Sequence, residues 1–419
     1  MRLAPGAPLT LALDFGGHAA LLPAGRVVMD QGLALLEWSP EVIARRLAVA
    51  ALHYPPEPGL QAARGRHFEG LHGVLADSLP EGWGHLLMRR RLARLGVDID
   101  TLSPVERLAL VGRHGRGALI FEPATTPAED VQTLDLDALA AEAAAVLAGE
   151  AGQLADTLAA LAGGSGGARP KVHVGFDEVG RISLGEGELP AGFIPWLVKF
   201  RAPNDPVDIG PIEEAYATMA EAAGVAMSPH RLIAARSGPG YFAARRFDRP
   251  DGGGRLHMVS LAGAIEAPPY APSTSYDTFL RATSAITRRA EDVRAAFQRM
   301  LFNILAHNRD DHTRQQAYLM DVAGDWRLAP AFDLTYASGP RGEHYMDVEG
   351  EGRNPSRAQV LALGARHGLG AKAVAQAVEV VRGSVGDWLR HAQATGVGPA
   401  SAREVHDAHR RVWAAFKAD

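Results

Sequence analysis

The chain has 419 residues, 47% of them hydrophobic and 22% charged, which is enough for two or three domains with substantial cores. A net charge of −5 gives no global attraction to nucleic acid or to an anionic membrane, and runs such as Arg89-Arg90-Arg91 read as solvated helix faces. The absence of cysteine excludes disulfides, thiol catalysis and thiolate-bound zinc; with no 18-residue uncharged apolar run and no basic-then-apolar opening, a cytoplasmic protein is expected.

Residues 1–125 read as a first unit. Short apolar stretches at Thr10–Leu13, His18–Leu22 and Leu33–Trp38, with Gly16-Gly17 between the first two, predict strands and turns. The segment from Phe68, FEGLHGVLADSLPEGWGHLL, predicts a loop feeding a helix. Ser78 and Glu81 have capping-box spacing, and Pro80 also suits the first helical turn. Nothing here is catalytic by residue type, so the unit reads as a scaffold or docking domain. Residues 126–163 are rich in Ala and Leu at helical spacing, broken near Gly149–Gly152, and read as a helical connector.

A β-rich part is expected over 164–256. It opens with GGSGGARPK, where Gly166 and Gly167 would let backbone N–H groups approach phosphate oxygens, followed by the alternating Val172, Val174 and Phe176. The Walker pattern is absent, and a flexible linker is the competing reading. The next apolar strand, Phe193–Phe200, carries Lys199, and an amphipathic helix follows with Glu213 near its start and Gly224 closing it. A Gly-rich loop, a strand lysine and a helix glutamate occur in the order of a kinase amino-terminal lobe.

Residues 257–419 read as mainly helical, with helices expected at 277–286, 289–306, 356–367, 371–392 and 399–417. Between them lies a polar knot, His307-Asn308-Arg309-Asp310-Asp311-His312, then two short apolar stretches that predict a hairpin, then Asp333. An Asp, an amide five residues on at Gln315, and a second Asp past a hairpin is the spacing of a phosphoryl-transfer site. There the first Asp orients an acceptor hydroxyl while the amide and the second Asp hold Mg²⁺.

These stretches together resemble the HipA family, the kinase-like toxins of bacterial type II toxin–antitoxin modules. FEGLHGVLADSLPEGWGHLL resembles the family's N-terminal region, GGARPK its Gly-rich segment and LVKF its nucleotide-lysine strand. RRFDR with RLHMVSLAGAI resembles the entry to the C-terminal lobe; FNILAHNRDDHTRQQAYLM with LAPAFDL resembles the catalytic and metal-binding stretches. The resemblance covers nearly the whole chain and implies an α+β, two-lobed protein-kinase-like fold with a β-containing N-terminal part and a mainly α-helical C-terminal lobe. It implies an ATP- and Mg²⁺-dependent serine/threonine kinase with Asp310 as catalytic carboxylate, Asp333 and Gln315 as metal ligands, and Lys199, Lys171, Gly166, Gly167 and Glu213 at the nucleotide. Ser165, one position displaced from the family's usual serine, is the candidate for autophosphorylation. The implied partners are a protein substrate, in known members an aminoacyl-tRNA synthetase, and a small DNA-binding antitoxin that would connect the chain to DNA indirectly.

Gln315 departs from the family's Asn. Its extra methylene forces the amide to fold back towards Mg²⁺, whose geometry is strict, so weakened metal binding is expected. A second departure, Met258-Val259-Ser260 where some relatives carry an acidic pair, has little mechanistic content. Two alternatives stay open: a catalytically weakened kinase-like protein acting as binding partner or corepressor of a DNA-binding antitoxin, and a metal-dependent hydrolase using His307, Asp310, Asp311 and His312.

Overall fold

The structure, a computed structural model, describes residues 3–4, 6–16, 21–125, 135–150, 155–162, 166–184, 189–251, 253–271 and 274–417. The chain divides into two compact units: residues 1–205, 243–259 and 319–325 form the first, and 206–242, 260–318 and 326–419 form the second.

The first unit contains an antiparallel sheet with the strand order Leu60–Ala62, Leu33–Trp38, Leu22–Asp30, Leu9–Leu13, Leu119–Glu122. Leu9–Leu13 is an interior strand, and Leu9, Leu11 and Leu13 are all fully buried, as expected of an apolar strand paired on both edges. The second strand is Leu22–Asp30; most of the stretch expected at His18–Leu22 lies outside the described residues. The strand's sequence, LPAGRVVMD, hides the alternation behind Pro23 and Gly25.

The helix Gly82–Arg94 starts later than the Ser78 capping box predicts. Glu81 is its N-cap and makes no side-chain cap bond, because Ser78 already ends the preceding turn, with its N–H on the carbonyl of Leu75. Pro80 further disfavours helical backbone at Leu79. A complete capping box does occur at Ser103 and Glu106, opening Pro104–Val111. The connector forms two helices, Leu136–Leu147 and Ala155–Ala162. A second sheet follows, in which Lys171–Phe176 lies between Ile182–Leu184 and Ile194–Lys199, and Ala243–Arg245 pairs with the far edge of the latter.

The second unit is mainly helical: Ile209–Ala222, Tyr276–Thr287, Ala290–Leu305, Arg357–Arg366, Ala371–Gly386, Trp388–Thr395 and Pro399–Phe416. The single helix expected over 371–392 is two, parted at Asp387, so that the fully buried Trp388 ring can turn towards Tyr216, 5.4 Å between ring centroids. Tyr216 organises this core. Its ring also lies edge-on to Phe302 and His409, and its hydroxyl donates to the carbonyl of Ala306 at 2.7 Å. That bond ties the helix Ile209–Ala222, which carries Glu213, to the end of Ala290–Leu305, from which the polar knot emerges.

Candidate active site

In the first unit the two lysines named from the sequence are direct partners across the ladder: Lys171 pairs with Lys199 in register, so both side chains share one face. Both are buried, at 6% and 8% exposure. Lys171 Nζ donates to the carbonyl of Gly166 at 2.5 Å, which brings the Gly-rich segment onto the same face. Gly167 has φ +82°, and a Cβ there would sit 2.9 Å from Lys171 Nζ; at Gly166 a Cβ would collide with the Arg116 guanidinium. The left-handed backbone favours glycine at 167, and a side chain at 166 would have to displace the Arg116 guanidinium. Ser165 lies outside the described residues.

His173, two residues along the strand from Lys171, is buried, with Arg246 Nη1 3.3 Å from its Nδ1. Burial, reinforced by Arg246, holds its pKa well below the usual imidazole range. Arg246 and Arg249 both grip Asp248, which also accepts the N–H of Gly117. Burial alone would raise the Asp248 pKa, but the two guanidiniums prevail and hold it far below the carboxylate range. Arg249 donates in turn to the carbonyls of Gly115 and Gly117. The RFDR motif thus fixes the 115–117 loop, and with it Arg116.

In the second unit the structure brings together Gln315 and Asp333. Gln315 Nε2 donates to Asp333 Oδ2 at 2.7 Å. Asp333 has φ +57°, a left-handed conformation that costs a non-glycine residue about 1–2 kcal/mol and is characteristic of functional sites. Main-chain bonds on both sides hold it there: Ala331 N–H to the carbonyl of Ala226 at 2.7 Å, and the reciprocal pair joining Ala337 to His307 and Arg309 at 3.1 Å each. The Asp310 side chain is half exposed, with His312 Nε2 4.0 Å from its carboxylate. Glu213 is buried in the helix Ile209–Ala222. Lys199 and Glu213 belong to different units.

Asp311, by contrast, is fully buried and accepts three hydrogen bonds: from the Tyr276 hydroxyl, from His344 Nδ1 at 2.8 Å and from the Tyr345 N–H at 2.8 Å. Burial, then the Asp311 carboxylate, raises the Tyr276 pKa well above its usual value, so the phenol remains a donor. Asn303 donates to the same phenol and accepts from Asn308, extending the chain of bonds to the start of the knot. Asp311 therefore anchors the loop that presents Asp310. The sequence shows the acid but not its partners, since His344 and Tyr345 lie more than thirty positions away.

Hard oxygen donors suit Mg²⁺, and the Asp333 carboxylate with the Gln315 amide oxygen supplies them. Gln315 bonds Asp333 through nitrogen, so its oxygen is available for a cation. Among the described residues no group of three or more His, Asp or Glu could by itself hold a metal. A hydrolase site built on His307, Asp310, Asp311 and His312 is therefore unsupported, and Asp311 is already committed to three donors. An Mg²⁺ at Asp333 would complete its shell with phosphate oxygens and water, its usual habit.

The HipA-like C-terminal domain family matches residues 163–411, and the HipA N-terminal domain family matches residues 19–122. The chain belongs to the HipA family. Among solved structures it is similar to the HipA of Shewanella oneidensis MR-1, determined with HipB and operator DNA, at a TM-score of 0.70 and 16% identity over 97% of this chain and 96% of that one. It is also similar to the Helicobacter pylori proinflammatory kinase CtkA, at a TM-score of 0.37 and 13% identity over 57% of this chain and 88% of that one. None of the curated proteins compared with the chain matches it. The fold of the Shewanella HipA is thus the fold of this chain, α+β, as the order of motifs implies. No helix among the described residues is long and apolar enough to cross a membrane.

Proposed function

We propose that this HipA protein is an ATP- and Mg²⁺-dependent serine/threonine protein kinase and the toxin of a type II toxin–antitoxin module. The observation that carries the reading is the Gln315–Asp333 hydrogen bond, which joins the two intended metal ligands, with Asp310 on the same firmly anchored loop. The chemistry is transfer of the γ-phosphoryl group of ATP to a protein hydroxyl. The hydroxyl oxygen bonds to the γ-phosphorus, the bond to the β–γ bridging oxygen breaks, and ADP leaves with that electron pair. Asp310, accessible to substrate, accepts the hydroxyl proton. Lys171 and Lys199 bind phosphate oxygens, and the glycine backbone at Gly166 and Gly167 lets them approach. Asp333 and Gln315 would hold Mg²⁺, which supplies neutralisation of phosphate charge. The substrate is a protein of the translation apparatus, an aminoacyl-tRNA synthetase by family resemblance, and Ser165 is the candidate for self-modification.

A small DNA-binding antitoxin is the proposed partner, supported by the HipB and operator DNA bound to the Shewanella relative. Incubation with ATP, Mg²⁺ and a host-cell extract, with phosphosites mapped by mass spectrometry, tests the reading. Wild type should add phosphate to serine or threonine and Asp310→Asn should not. Equal phosphorylation by both proteins, or by neither, contradicts it.

A further inference from the structure

The stretch DSLPEGWG, within the N-terminal segment singled out in the sequence, is not used by the proposed site. It ends at the start of the helix Gly82–Arg94, and this helix end lies directly against the Gly-rich segment. The Trp83 N–H donates to the carbonyl of Gly167 at 3.1 Å, and the Trp83 indole Nε1–H donates to the carbonyl of Lys171 at 3.1 Å. One residue therefore bonds both ends of the 167–171 stretch. Trp83 is among the largest fully buried side chains, at 1% exposure, so neither bond is diluted by water.

Gly82 makes the contact closer still. With φ +45°, a Cβ on Gly82 would fall 2.5 Å from the carbonyl oxygen of Gly167 and 2.8 Å from Ala168 Cα. These are main-chain atoms, so a single methyl group would push the whole segment away. The carbonyl that Trp83 holds belongs to the residue on which a Cβ would lie 2.9 Å from Lys171 Nζ, and the next carbonyl back, that of Gly166, bonds the same ammonium.

We infer that Gly82 and Trp83 are positioning residues for nucleotide binding: they clamp the Gly-rich segment in the conformation that presents its backbone and Lys171 to phosphate. This would give the N-terminal domain, otherwise a scaffold, a direct part in setting ATP affinity. The inference rests on the nucleotide reading given above, and its test separates the two.

The experiment compares wild type, Gly82→Ala and Trp83→Phe, the last keeping the ring but losing the indole donor. Hydrogen exchange of residues 166–171 is measured without nucleotide, alongside ATP–Mg²⁺ affinity by calorimetry and steady-state constants. Both variants should lose protection over 166–171 while the sheet Leu9–Leu13/Leu22–Asp30 keeps it. ATP affinity should fall by roughly tenfold, the scale of one buried interaction, with KM for ATP rising more than kcat falls. If Gly82→Ala does not fold, Trp83→Phe alone carries the comparison. Wild-type protein that fails to bind ATP contradicts the proposed function. Wild-type binding with unchanged affinity or unchanged 166–171 protection in the folded variants overturns the clamp alone.

Discussion

Gln315 Nε2 donates to Asp333 Oδ2 at 2.7 Å, so the longer amide in the place of the family's asparagine reaches its partner. The extra methylene is accommodated by folding the side chain onto Asp333. If Asp333 and Gln315 hold Mg²⁺ as proposed, the longer arm leaves the amide oxygen less well placed than an Asn oxygen for octahedral geometry. Gln315→Asn is therefore expected to lower the Mg²⁺ concentration for half-maximal phosphoryl transfer by roughly threefold, a shift of under 1 kcal/mol. An Mg²⁺ titration of activity checks this. A higher Mg²⁺ requirement in the Asn variant would show that Gln315 is the better ligand in this site.

The Asp311 network predicts a stability effect distinct from catalysis. Removing the phenol in Tyr276→Phe leaves Asp311 and Asn303 each short of a buried partner, and should cost about 1–3 kcal/mol. Asp311→Ala, which strands three donors, should cost about 3–5 kcal/mol. Urea unfolding followed by far-UV circular dichroism measures both, and a midpoint unchanged in Asp311→Ala would refute the anchoring role.

Buried histidines predict acid sensitivity. Burial lowers the His409 pKa to about 3, only partly opposed by its bond to the Ala306 carbonyl, and lowers the His257 pKa to about 4. The folded pKa values lie below the unfolded value of about 6.5, so the unfolded chain binds more protons at lower pH. Stability should therefore be intact above pH ~6.5 and fall as the pH drops towards 4. His409→Gln should flatten part of that fall in the pH dependence of the unfolding midpoint. A wild-type midpoint independent of pH between about 6.5 and 4.5 would contradict it.

His230 works in the opposite sense. Burial lowers its pKa, but hydrogen bonding and charge from Glu214, with Glu221 behind, outweigh burial and raise it. A raised folded pKa contributes stability that is present below the unfolded pKa of about 6.5 and lost as pH rises through the folded value. Glu214→Gln should therefore destabilise the protein more at about pH 5.5 than at about pH 8.5. Equal destabilisation at the two pH values would assign Glu214 a purely packing role.

Local signals carried far in this chain where side-chain type and spacing coincide with structure. Lys199 stands out as a charge in an apolar strand, and Asp310, Gln315 and Asp333 follow kinase-like spacing over a single hairpin. What the sequence could not display is pairing between distant segments. The register that sets Lys171 opposite Lys199 depends on which strands are neighbours. The partners of Asp311 depend on the 344–345 segment closing over the knot, and the contact of Gly82 with Gly167 joins positions 85 apart. Ser78 illustrates the reverse case, a valid local cap signal overridden because Pro80 and the preceding turn had already fixed the backbone.

Calorimetry of ATP with Mg²⁺ on wild type and Asp333→Asn tests the proposed Mg²⁺-dependent ATP binding through Asp333 most directly. Wild type should bind, and Asp333→Asn should lose at least roughly tenfold in affinity, the effect of removing one charged ligand. No binding by wild type at millimolar ATP, or equal affinity in the two proteins, would contradict it.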